Sequence, residues 1–149
     1  MEAGVGRFGL FVLVAAVITA PDVRAQQTTA ELESMKATKP SKEDLQTLLS
    51  GASIEYVSAR NIKYRYDQKA NGSLVGFASG FSFADNANAP GAGTWRVDEN
   101  GRYCITSTWG HSRPYDNNWC AVVYKLGDDY YITYATRPDA KPIKLIVSK

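Results

Sequence analysis

Ile62-Lys63-Tyr64-Arg65-Tyr66-Asp67-Gln68-Lys69-Ala70-Asn71-Gly72-Ser73-Leu74-Val75-Gly76-Phe77-Ala78, residues 62–78, is the stretch on which the fold turns. Ile62, Tyr64 and Tyr66 alternate with charged neighbours, the period of two that marks a half-buried strand. Asn71-Gly72 then supplies a strong hairpin signal, because a type I′ turn needs positive φ at both central residues. The segment therefore reads as one antiparallel hairpin, joining residues 62–67 to residues 73–78.

The same pattern recurs on either side. Upstream, Ile54 and Tyr56 alternate in a strand that begins near Ala52. Downstream, a loop of small residues from Ala84 to Gly93 precedes a second hairpin, with residues 94–97 and 102–107 flanking Asn100-Gly101. A third sets residues 119–126 and 130–136 around Gly127-Asp128-Asp129, and Ile143, Leu145 and Val147 alternate in a last strand after Pro142. About eight short strands in meander order, with no helices between them for parallel crossovers, predict a mainly β fold. An antiparallel up-and-down barrel or a compact sandwich is the expected form, since closure removes exposed edges. One short N-terminal helix should precede the strands, with Ser41 as N-cap, Leu45, Leu48 and Leu49 as its apolar stripe and Gly51 at C′. It is expected to plug one end or cover one edge.

Residues 1–25 read as a cleavable signal peptide. Arg7 lies in a weakly basic start, and Phe8 to Ala20 carries no charge. That run is shorter than the about 20 apolar residues a spanning helix needs. Val23 and Ala25 then place small residues where a peptidase would cut after Ala25. Residues 26–40 are polar and read as a flexible leader, leaving 41–149 as a single β-rich domain. The expected location is the periplasm or the exterior, with no membrane anchor after cleavage.

The chain has 17 basic and 15 acidic residues, a net charge of +2. Arg7 and Arg24 would leave with Glu2 and Asp22, so cleavage does not change that balance. The charges are scattered singly, which gives neither the footprint of a nucleic-acid binder nor a polybasic membrane patch. Cys104 and Cys120 are the only cysteines, and an oxidising compartment favours their pairing. A loop of that length is worth roughly 3 kcal/mol in chain entropy. Two free thiols are the alternative. His111 is the only histidine, so a metal site is short of ligands, and neither a metal nor a cofactor is expected.

Candidate chemistry is sparse. His111 has Ser107, Ser112 and Asp116 nearby, but no G-x-S-x-G elbow presents a nucleophile. A hydrolase using His111 is therefore the weakest reading. Asp98-Glu99 and Asp128-Asp129 fall in turns, where turn chemistry accounts for them. Gly91 and Gly93 precede a strand, so they do not form a phosphate-cradling loop at a helix start. The aromatic content is more suggestive. Trp109, His111, Tyr115, Asn117, Asn118 and Trp119 cluster around the cystine loop, and such a mixture suits a glycan or protein surface. The competing interpretation is that these aromatics pack over the cystine and seal a barrel end.

Gly93-Thr94-Trp95-Arg96-Val97, Gly101-Arg102-Tyr103-Cys104, Trp109, Trp119-Cys120 and Val123-Tyr124-Lys125 resemble a family of small exported alphaproteobacterial proteins catalogued as a domain of unknown function. With residues 72–77, the likeness covers about half of the mature chain. It implies a Gram-negative periplasmic or secreted setting and carries over no catalytic residue. A looser likeness to periplasmic lysozyme inhibitors rests on export, β content, one disulfide and many tyrosines, without their characteristic loop residues. Together these features predict a non-enzymatic exported domain that binds an envelope glycan or protein. A lipocalin-like carrier of a small apolar ligand is the second expectation.

Overall fold

The computed structural model describes residues 28–80, 88–110, 115–134 and 140–149. Eight antiparallel strands close into a barrel, preceded by two short helices. The strands are β1 (Ser53–Val57), β2 (Lys63–Gln68), β3 (Ser73–Ser79), β4 (Asn88–Val97) and β5 (Tyr103–Trp109), then β7 (Trp119–Leu126), β8 (Asp129–Tyr134) and β9 (Ile143–Ser148). A two-residue strand, β6 (Tyr115–Asp116), pairs with β5 in line with β7. Each strand pairs with its neighbours in sequence, and β1 meets β9 to close the ring. Of the two expected forms, the barrel is the one observed.

Alternation decides which side chains enter the barrel. Tyr64, Tyr66 and Gln68 point inward from β2, while Lys63, Arg65 and Asp67 face solvent. Ile54, Leu74, Trp95, Ile105, Val123 and Leu145 supply apolar core from six other strands. α2 (Lys42–Leu49) starts at Ser41, whose hydroxyl accepts from Asp44 N at 3.0 Å. Leu45 and Leu49 join the core cluster, so the helix plugs the end where β1 begins.

Three hairpins share one turn, and it is not the expected type I′. Lys69 N donates to Ser73 O and Gly72 N to Lys69 O, with Gly72 at φ 86 and Asn71 on the negative side. The same bond pair links Ser58 with Ile62 and Asn61, and Asp98 with Arg102 and Gly101. Asn61 and Gly101 occupy the left-handed position. Each is a type I turn closed by one left-handed residue. The β7–β8 turn differs again, with Gly127 alone at positive φ, as type II′ requires.

Two further readings change. The small-residue run does not stay a loop throughout, because residues 88–93 form the first half of β4. Its glycines permit close approach: a Cβ at Gly91 would fall into the Trp109 ring. Within the expected leader, Thr28 and Glu31 form a capping box over α1 (Thr29–Ser34), and Leu32 is fully buried. Tyr124 Oη donates to Glu33 Oε1 at 2.9 Å, and Thr38 bridges to Lys125 of β7. The segment is therefore docked on the barrel. Residues 1–25 lie outside the described residues. Among those described, no helix is long and apolar enough to cross a membrane.

Candidate functional site

Opposite the plugged end, the barrel interior is built from tyrosines. Tyr56 and Tyr66 share a hydroxyl hydrogen bond of 2.9 Å, and Asn117 Nδ2 donates to Tyr66 Oη at 3.3 Å. Tyr64 and Tyr115 approach through their hydroxyls at 3.5 Å. Nearer the plugged end, Gln68 Nε2 donates to Tyr103 Oη, while Gln68 Oε1 is buried without a hydrogen-bond partner among the described residues. Burial holds the phenols of Tyr56, Tyr66, Tyr103 and Tyr115 above their ordinary pKa, because it disfavours the phenolate.

The expected 109–119 surface is largely part of this wall. Trp109 is fully buried, its Nε1 donating to Ser107 Oγ at 2.9 Å, and it meets Tyr64 and Tyr66 edge-on. Trp119 is half-buried and packs edge-on against Tyr56, Tyr103 and Tyr134. Tyr115 is half-buried, opposite Trp109 in the ladder. Asn117 N donates to Ser107 O at 2.8 Å, and Asn118 Oδ1 accepts from Ser107 N at 3.1 Å. Those amides splice β6 to β7 across Ser107. His111 lies outside the described residues. The structure thus gathers Trp109, Tyr115, Asn117 and Trp119, and largely turns them inward.

Cys104 and Cys120 form a disulfide between directly opposed residues of β5 and β7. Asp98 lies 3.9 Å from Cys104 Sγ, but the sulfurs are bonded to each other, which leaves its carboxylate as the one ligand of that trio. That carboxylate is committed to its turn. It accepts from the main-chain N–H groups of Asn100 and Arg102 and pairs with the Arg102 guanidinium at 2.7 Å. These bonds, led by the Arg102 amide, hold Asp98 below the usual carboxylate pKa.

The open feature is a split between β1 and β9. Their ladder runs through Ser53↔Ser148, Ile54↔Val147 and Glu55↔Ile146 and then ends. β9 pairs with β8 only over Ile143–Leu145, so it crosses diagonally and leaves its first half apart from β1. The cleft encloses about 820 Å³. Tyr56 and Tyr134 line it together with Val57, Ile143 and Ile146, and its charged groups are Lys63, Lys141, Lys144 and Glu55, with Lys144 paired to Asp129 at 2.8 Å. Glu55 is already engaged by Lys63 at 3.0 Å and by Arg65 at 3.8 Å. Val57 and Ile146 are 50% and 58% exposed, so two large apolar side chains stand at the lips.

Sequence reasoning missed this cleft. Its visible trace is Ile146, an apolar residue on the outward side of a strand that otherwise alternates. The chain matches no family model, and no curated protein or solved structure matches it.

Proposed function

We propose that this chain is an exported, non-enzymatic binding domain that holds an envelope partner, a protein in preference to a glycan, in the β1–β9 split. The observation that carries this reading is the cleft itself. Its volume of about 820 Å³ is within the usual range for ligand sites, and its lining mixes aromatic, aliphatic and cationic groups. Its polar groups are arranged to hold rather than to react. Ser58 Oγ accepts from Ile62 N at 3.2 Å, and the Glu55 carboxylate lies between two cations.

The interior supports binding between strands in place of carriage within the barrel, because Tyr66, Tyr103 and Trp109 fill it and are fully buried. Export rests on the reading of residues 1–25, in keeping with the Cys104–Cys120 disulfide. Titration calorimetry against envelope proteins and peptidoglycan fragments, repeated with Ile146→Trp at the lip, tests the assignment. Binding that this substitution abolishes supports it. Binding that the substitution leaves unchanged, or no binding by either class, overturns it. A partner that proves to be glycan removes the stated preference.

A further inference from the structure

Two Asn-Gly pairs occupy the same place in the same kind of turn, which makes them a matched comparison. Asn71-Gly72 and Asn100-Gly101 each set the asparagine before a left-handed glycine, at φ 86° and 70°. In each, the glycine N–H donates to the carbonyl three residues back, Lys69 O or Asp98 O, at 3.0 Å. Both asparagines are exposed. What reaches the side-chain carboxamide differs. Asn71 Oδ1 accepts from Ser73 N at 3.0 Å and from Ser73 Oγ at 2.7 Å. In the second turn the matching main-chain donor, Arg102 N, goes instead to Asp98 Oδ1 at 2.9 Å, which also holds Asn100 N. Lys69 stands where Asp98 does and offers no side-chain acceptor. Two donors therefore converge on the Asn71 carboxamide, and none among the described residues reaches that of Asn100.

We propose that Asn71 is a self-modification site, at which the Gly72 amide converts the asparagine to aspartate or isoaspartate through a succinimide. The Gly72 nitrogen loses its proton to hydroxide and attacks Asn71 Cγ, and the carbonyl electrons move onto Oδ1. Ser73 N–H and Oγ–H face that oxygen where its negative charge develops, the arrangement of an oxyanion hole. The Cγ–Nδ2 bond then breaks, Nδ2 takes a proton from water and leaves as ammonia, and the cyclic imide remains. Water opens the imide at either carbonyl, giving aspartate, or isoaspartate with the main chain routed through Cβ and Cγ. Gly72 suits the attack because it has no Cβ to obstruct it. The nitrogen must give up its bond to Lys69 O, but Gly101 faces the same cost at Asp98 O, so the carboxamide donors decide between the two sites. Aspartate keeps an acceptor for Ser73. Isoaspartate lengthens the main chain inside a turn that Trp95 clamps, its N and Nε1 donating to Gly72 O and Lys69 O at 2.8 Å. Either product adds one carboxylate to a chain of net charge +2.

The full chain, incubated folded at mildly alkaline pH and in parallel in concentrated urea, tests this. Peptide mass spectrometry with fragmentation that separates aspartate from isoaspartate follows both sites. In the folded chain Asn71 should convert about tenfold faster than Asn100, less than the about 100-fold that one such donor contributes in a water-excluded site. In urea, where the donors are released, the two rates should draw level. Ser73→Ala removes the hydroxyl and keeps the N–H, so it should slow Asn71 severalfold, and Ser73→Thr should restore the rate, with Asn100 as the internal reference. Asn100 converting as fast as Asn71 in the folded chain overturns the proposal, as does an Asn71 that stays intact when folded and converts only in urea. A preference for Asn71 that persists unchanged in urea overturns it too, because local sequence then sets the rate. An unaltered ratio in Ser73→Ala has the same consequence.

Discussion

Gly91 shows how one missing atom can set a wall of the barrel. Its α-carbon rests against the Trp109 ring, where any Cβ would overlap the indole. Gly91→Ala is expected to cost about 1–3 kcal/mol, the usual range for overpacking a filled core, read as a lower urea midpoint. Asp98 is the polar counterpart. Two turn amides and the Arg102 guanidinium use its carboxylate, and the side chain is 8% exposed. Asp98→Ala leaves those donors without an acceptor and should cost about 1–3 kcal/mol near neutral pH. The pH dependence follows from the lowered folded pKa. Such a group contributes stability above the unfolded value of about 3.9, and the contribution is lost as pH falls through the lower folded value. Midpoints of the native chain and the variant should therefore differ above that range and converge in acid. A constant gap would place the effect in packing.

The elements show which signals a sequence carries and which it does not. Strand alternation in Ile62–Tyr66 and Ile143–Val147 was legible because it depends only on side-chain period. The first half of β4 was not, since Gly91 and Gly93 read locally as loop residues. Their small size answers to strand β5, which is distant in sequence. The Thr28–Glu31 capping box is a sequence signal that was available for α1, although the polar character of 26–40 obscured it. Leu32 tests that helix: a docked α1 predicts that Leu32→Ala costs about 2–3 kcal/mol in chemical denaturation, whereas a free leader predicts no change. Of the 109–119 cluster, Trp109, Tyr115, Asn117 and Trp119 lie near one another, but composition could not say that Trp109 faces inward. The cleft was least legible. It arises from the diagonal step of β9 between β8 and β1, and only strand register specifies that step.

At the scale of the molecule, the two barrel ends have different chemistry. α2 closes one with Leu45 and Leu49, and beside it Lys42 pairs with Glu99 at 2.9 Å. The other is lined by phenols whose hydroxyls bond to one another and to Asn117. A buried phenol is tolerated while neutral and hydrogen-bonded, and it becomes costly once ionised. Tyr56, Tyr66, Tyr103 and Tyr115 all have folded pKa values raised by burial. For each, the folded state holds its proton more tightly than the unfolded chain does. Their contribution is complete below the unfolded value of about 10 and declines as pH rises from there towards the folded values. The fold should therefore lose stability steeply in alkali, and these four should ionise together with unfolding. Tyrosinate absorbance followed alongside circular dichroism tests this: part of the phenolate signal should coincide with loss of secondary structure. In Tyr56→Phe, which removes one hydroxyl from the pair with Tyr66, the alkaline transition should move. If all nine tyrosines ionise before the barrel unfolds, the phenol network is wet to the depth of Tyr66.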